Sequence, residues 1–181
     1  MPKYVAFLRA INVGGHTVKM DVLCGLFAGM GFSNVETFIA SGNVIFEAPG
    51  TNTKQLEQKI ETSLHEALGY EVATFIRTTA EVAEMARYQP FSASELEEVG
   101  NMLYIAFLAD TPGDEAQQKL QSFTTEVDEF FVNNREVYWL CRKKISESNF
   151  SGALLEKTLG MPATLCNSNT VKRIASKYAD A

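Results

Sequence analysis

The chain is poor in the residues from which the commonest catalytic and structural centres are built. Two histidines, His16 and His65, and three cysteines, Cys24, Cys141 and Cys166, occur in 181 residues. The cysteines are odd in number and lack CxxC or CxxH spacing, so neither a disulfide framework nor a zinc site is implied, and reduced thiols are expected. With only five prolines and no low-complexity tract, the composition excludes a collagen-like or disordered chain. No apolar run reaches the length that spans a bilayer, and the N-terminus has no charged segment, apolar core and cleavage site in succession. A cytoplasmic protein is the expectation. Sixteen basic against twenty-two acidic residues give a net charge of −6, and apart from residues 142–144 (RKK) the basic residues are scattered. Phosphate-backbone binding needs a clustered positive face, so nucleic acid is disfavoured as a partner.

What is present is an apolar core of ordinary size, with 46% hydrophobic residues. Residues 3–13 (KYVAFLRAINV) are interrupted only by Lys3, Arg9 and Asn12, and run into Gly14 and Gly15. A segment apolar at both alternating positions reads as a strand covered on both faces. Next, Met20, Leu23, Leu26, Phe27 and Met30 recur at helical spacing, with Gly31 placed for a left-handed C-cap. Residues 35–39 (VETFI) and 43–47 (NVIFE) flank Ala40, Ser41 and Gly42 as a hairpin. Thr53 offers an N-cap to a helix carrying Leu56, Ile60 and Leu64 and closed by Gly69, and residues 72–77 (VATFIR) form another strand. The order is β-α-β-β-α-β, in which the first and third strands are central.

Thr78 and Glu81 have capping-box spacing before a short helix that Pro90 ends. Residues 102–109 (MLYIAFLA) open a second β-α-β-β-α series. Its helix starts at Thr111-Pro112-Gly113-Asp114 with proline at the first helical position. Its hairpin joins residues 127–132 and 136–141 across Asn133-Asn134-Arg135. A further helix over 150–159 is capped near Ser148 and ended by Gly160. Residues 163–166 remain for a short edge strand, and Val171, Ile174, Ala175 and Tyr178 mark a last helix. The expected fold is therefore α+β: two ferredoxin-like (split βαβ) halves with mainly antiparallel sheets, plus a C-terminal helix. The expected domains are 1–78, a helical connector 79–100, and 101–181.

FLRAINVGG at residues 7–15, followed by Met20 and by SGNVIF at 41–46, resembles the bacterial domain of unknown function family 1697. The likeness extends through Gly31-Phe32, Pro90-Phe91, residues 104–108 and the NTV at 169–171. It implies two ferredoxin-like halves and no assigned activity. Where the family has a sequence similar to RNWNTV, this chain reads Cys166-Asn167-Ser168-Asn169-Thr170-Val171, so a cation and an aromatic are lost together.

The residues singled out for function are Arg9, Asn12, Gly14, Gly15, His16 and Lys19. Backbone N–H groups in a glycine loop between strand and helix can hold an anion with neighbouring cations. The commoner use of such a pair is a tight turn, since neither GxGxxG nor P-loop spacing is present. Arg9, set in an apolar strand, must find a partner or reach solvent, as a structural ion pair or a ligand contact. Ser41-Gly42-Asn43 reads as a turn and, with the first and third strands taken as parallel, is expected at the sheet end opposite Gly14-Gly15. His65 lies off its helix's apolar stripe, neither histidine neighbours a nucleophile elbow, and Glu97-Glu98 and Asp128-Glu129 read as solvated faces without metal-ligand spacing. Phe7 and Phe46 could stack bases, but SGNVIFE lacks the RNP pattern of aromatic and basic residues.

These residues favour a module that binds a small anionic ligand or a protein partner. The alternative is an enzyme acting on an anionic metabolite, for which His16 is the one placed acid or base. No cofactor or metal is called for, catalytic residues are unassigned, and composition says nothing of oligomeric state.

Overall fold

A computed structural model describes residues 1–9, 18–38, 42–50 and 52–178. The first strand, β1 (Lys3–Leu8), ends before Arg9, which is in a turn, and residues 10–13 of the apolar run that suggests it lie outside those described. Tyr4, Ala6 and Leu8 face one way and Val5 and Phe7 the other, and all five are buried. Both faces of β1 are thus covered, as the unbroken apolar run requires.

Around β1 the chain builds α1 (Met20–Gly29), β2 (Ser33–Thr37), β3 (Asn43–Glu47), α2 (Thr53–Leu68) and β4 (Thr74–Thr78). The sheet order is β2-β3-β1-β4 with every pair antiparallel. This is the split βαβ order with β1 and β3 central. The face carrying Tyr4, Ala6 and Leu8 packs with Val44, Phe46 and Ile76 against Leu23 and Phe27 of α1 and Ile60 and Leu64 of α2. Phe32 and Phe46 lie 4.6 Å apart and Phe27 and Phe46 5.6 Å, so Phe46 is a core ring with no face free for a base. Phe7 is buried too, on the opposite face.

The second series comprises α3 (Thr79–Arg87), α4 (Ala93–Glu97), β5 (Met102–Leu108), α5 (Asp114–Gln121), β6 (Asp128–Asn133), β7 (Glu136–Cys141), α6 (Gly152–Leu159), β8 (Ala163–Asn167) and α7 (Ser168–Tyr178). A single 3-10 turn, Ile145–Glu147, precedes α6. The second sheet runs β6-β7-β5-β8, again antiparallel throughout, so the same topology occurs twice. Trp139, Phe130 and Phe150 form its aromatic centre, with Phe130 and Phe150 at 4.5 Å. The chain divides into two compact units, Met1–Met85 with Arg173–Ala181, and Ala86–Lys172. The end of α7 therefore belongs with the first sheet.

Several local expectations move by one to three residues, each for an identifiable reason. Asn52, not Thr53, caps α2, its side chain accepting from the Gln55 amide at 3.2 Å. Ser151 rather than Ser148 caps α6, and Gly113 precedes α5, which leaves Pro112 before the helix instead of at its first position. β2 begins at Ser33 and ends at Thr37, with Ile39 outside the described residues, and β4 spans Thr74–Thr78 rather than 72–77. The Thr78–Glu81 box forms as expected, with reciprocal bonds of 2.7 and 3.1 Å. Gly69 and Gly160 close α2 and α6 with φ of 81° and 70°, a region that costs a side chain but not glycine.

Ser148 is occupied elsewhere. Its hydroxyl donates to Asp128 at 2.6 Å, and the other Asp128 oxygen accepts from the Trp139 indole at 2.8 Å. Asp128 is 3% exposed, which corrects the expectation of a solvated carboxylate: it ties the β6–β7 hairpin to the turn before α6. Asp128→Ala should leave the buried indole N–H unpaired and lower unfolding free energy by about 2–4 kcal/mol in urea titration. Ser148→Ala, which leaves Asp128 its indole partner, should cost about 1 kcal/mol.

The outer edge of β4 is closed by α2. Buried Glu57 accepts from the Ile76 amide at 2.9 Å, and Glu61, one turn on, accepts from the Thr74 amide. Burial raises the Glu61 pKa above the usual carboxyl range, with help from the Glu57 charge, while the Thr74 bond opposes the rise. The folded state therefore holds this proton more tightly than the unfolded chain. The resulting stability is complete below the unfolded pKa and is lost as pH rises through the folded one. Glu61→Gln should stabilise the protein relative to wild type at pH 7.5, and the gain should disappear near pH 4 in paired denaturant titrations.

Candidate functional site

Of the residues singled out for function, Arg9 and Lys19 are described. Asn12, Gly14, Gly15 and His16 lie outside the described residues, as does Ser41. Arg9 stands one position beyond β1, with its amide bonded to the Ala73 carbonyl at 2.9 Å, and is exposed. Lys19 is exposed in the position before α1, where its carbonyl accepts from Leu23 at 3.0 Å.

The strand register overturns one expectation about the site. β1 and β3 are antiparallel, with Phe7 opposite Asn43, and the Leu8 amide donates to the Gly42 carbonyl at 3.0 Å. The β2–β3 turn therefore lies at the same sheet end as the exit of β1, not the opposite one. The reason is topological: the crossover through α1 makes β1 and β2 run the same way, so the hairpin partner β3 must run against both. Asn43 serves that turn. Its side-chain amide donates to the Phe38 carbonyl at 3.3 Å, and Gly42 takes φ of 85°.

Beside this sheet end sits a cluster that the sequence reading did not single out. Arg173 and Lys177 of α7 stand 5.4 and 5.6 Å from the centre of the Phe38 ring. Tyr178 meets the same ring edge-on at 6.1 Å. The Tyr178 hydroxyl donates to Glu36, and Lys177 Nζ lies 3.7 Å from that carboxylate. Burial, followed by the Glu36 carboxylate, pushes the Tyr178 phenol well up, so it stays a donor at any physiological pH. One signal was available in sequence: α7 carries Lys172, Arg173 and Lys177 and no acid in a chain of net charge −6.

His65 is exposed, and so are Glu97 and Glu98. The buried guanidinium of the first sheet is Arg77, 1% exposed, whose Nη1 donates to the Ile76 carbonyl at 2.9 Å. In the second unit a groove of about 500 Å³ is lined by Phe123, Lys143, Glu147, Ser148 and Phe150, with Asp128 at its wall. The Ser148 hydroxyl there is already committed to Asp128 and accepts from the Phe150 amide at 2.9 Å. Among the described residues no group of three or more His, Cys, Asp or Glu could hold a metal ion. Among the same residues, no helix is long and apolar enough to cross a membrane.

Two thiols are held away from thiolate chemistry. Burial pushes Cys166 up to about 12 and also raises Cys141, whose Sγ contacts the Lys143 carbonyl at 3.1 Å. In the folded protein at pH 8, both should resist iodoacetamide that labels them fully once the chain is unfolded, as read by peptide mass.

Comparison with known proteins brings the fold and the family together. No curated protein matches the chain. Among solved structures, the conserved bacterial protein SP0830 from Streptococcus pneumoniae aligns over 99% of each chain with a TM-score of 0.74 at 21% identity, a likeness of fold. The family model described as "Protein of unknown function (DUF1697)" matches residues 1–138, and with the repeated four-stranded sheets this makes the chain a member of that family.

Proposed function

We propose that the protein is a binding module for a small anionic ligand, received where the first strand leaves its sheet. The observation that carries this reading is the pair of exposed cations, Arg9 and Lys19, at either border of residues 10–17. That segment contains Asn12, Gly14, Gly15 and His16. A glycine pair in a loop is suited to turning backbone N–H groups toward an anion, and a guanidinium such as that of Arg9 supplies bidentate recognition of a carboxylate or phosphate. The Gly42-Asn43 turn at the same sheet end supports the reading, because it adds polar backbone to the surroundings of Arg9.

A binding module rather than an enzyme is favoured by the side chains near this end. The charged groups described around Phe38 are cations and the Glu36 carboxylate, already engaged by Lys177 and Tyr178, while at the β4 side of this end Glu61 is taken up by the Thr74 amide. The overall charge of −6 argues against an extended polyanion as partner.

A thermal-shift screen of small phosphates and carboxylates tests the proposal. A ligand at a hundred times its dissociation constant adds about 2.7 kcal/mol, a rise of roughly 5–10 °C for a chain of this length. Arg9→Ala should abolish the shift, while His16→Ala should retain at least part of it with no turnover of the ligand. Turnover lost in His16→Ala would instead establish an enzyme. Absence of any shift in the wild type would reduce the glycine pair to a turn.

A further inference from the structure

We propose that the C-terminal helix supplies a second cationic arm to this anion site. Arg173 and Lys177, gathered on Phe38, would act with Arg9 to bind a small molecule carrying more than one phosphate charge. The inference rests on the binding reading above and assigns to it residues from the opposite end of the sequence.

The alternation of β1 sets Arg9 on the face of Val5 and Phe7, and its Ala73 bond continues the pairing of β1 with β4 by one residue. In β2, Glu36 lies opposite Ile45, which itself lies opposite Val5. Glu36 therefore belongs to the same face, and Phe38 follows it two positions on. The Phe38 amide bonds to the Asn43 carbonyl at 3.0 Å, and Asn43 is opposite Phe7, so Phe38 stands at the sheet end from which Arg9 emerges. Three cations from two distant segments thus share one face and one end of a single sheet.

Their partners are unusual for a structural role. Arg173 is exposed and makes no ion pair among the described residues; what places it is the Phe38 ring. Lys177 shares that ring, and its contact with Glu36 at 3.7 Å is long and solvent-exposed. Exposed pairs of this kind contribute little, so the lysine is readily recruited by an anion. Arg173 and Lys177 are four residues apart and hence on one side of α7, a spacing of about 6 Å that suits neighbouring phosphoryl groups. A guanidinium placed against an aromatic ring, as Arg173 is at 5.4 Å from the Phe38 centre, does not spend its N–H donors on that contact and retains them for an anion. Glu36 sets a carboxylate beside Lys177 and Tyr178, which opposes a nucleic-acid backbone running across the patch.

Isothermal titration of sodium pyrophosphate at low ionic strength, into wild type and single variants, tests the arm. Arg173→Ala should weaken binding roughly tenfold or more, the loss expected for a hydrogen bond to a charged group. Arg173→Lys should recover part of the affinity, and Lys177→Ala should weaken it to a lesser extent. Thermal melts of the free variants should match wild type, since both side chains are exposed. Wild-type affinity in Arg173→Ala, with binding lost in Arg9→Ala, would overturn the second arm and leave the Arg9 site intact. Loss in Arg173→Ala with wild-type affinity in Arg9→Ala would sustain the helix as an anion-binding element and overturn the Arg9 site. No heat of binding to wild type would overturn both.

Discussion

Antiparallel pairing of β1 with β3 is the constraint on which the first unit depends. It puts Tyr4, Ala6 and Leu8 beside Val44 and Phe46 on the face that α1 and α2 cover, and it puts Val5 and Phe7 beside Ile45 on the other. A shift of one residue would exchange these sets and bring Asn43, now on the face of Ile45, to the aromatic cluster of Phe27, Phe32 and Phe46. The same pairing carries the end of β1 to the β2–β3 turn through the Leu8–Gly42 hydrogen bond. Core and candidate site are therefore consequences of one register. Truncating a core phenylalanine such as Phe46 to alanine costs on the order of 3–5 kcal/mol, so the core dictates the geometry that the site must use.

The two sheets solve the problem of exposed strand edges with side chains from the helices that flank them. Glu57 meets the outward amide of Ile76 in β4, whereas in β6 the outward carbonyl of Phe130 accepts from the Gln121 side chain at 2.9 Å. The chemistry follows the group to be satisfied: a carboxylate for an N–H, an amide for a carbonyl. An edge group closed in this way offers less to a second chain seeking to add a strand. Glu57 comes with a cost, because its charge and that of Glu61 are held one turn apart on α2, and burial already resists ionisation of Glu61.

Element order was legible in the sequence because each signal is local. The two-sided apolar run of β1, the period of α2 ending at Gly69, and the hairpin signal of Asn133-Asn134-Arg135, which the structure narrows to a two-residue turn at Asn134-Arg135, all depend on neighbours within a few positions. Cap identity was less legible, since Asn52 and Thr53, or Ser148 and Ser151, are chemically equivalent candidates until the helix axis is fixed. Asp128 could not be read as buried from its polarity, for its burial depends on Trp139 and Ser148 approaching from separate segments. The placement of the candidate site failed for a different reason. It required the direction of β3 relative to β1, and a mistaken parallel assignment separated the β2–β3 turn from the exit of β1, which the register places together.

The cations of α7 were hidden by the same limit of local reading. Their helix is amphipathic, with Val171, Ile174, Ala175 and Tyr178 buried, and a basic outer face is the ordinary complement of such a pattern. What distinguishes Arg173 and Lys177 is the ring beneath them, and Phe38 lies far away in sequence. The physical consequence is a division of labour in which the apolar stripe of α7 fixes the helix, so its charged face is positioned without a carboxylate partner for Arg173 among the described residues. A cation fixed by an aromatic ring keeps its full charge for a third group, whereas one fixed by a carboxylate has much of its field cancelled. That difference, more than the number of basic residues, is what the proposed anion site draws on at this end of the first sheet.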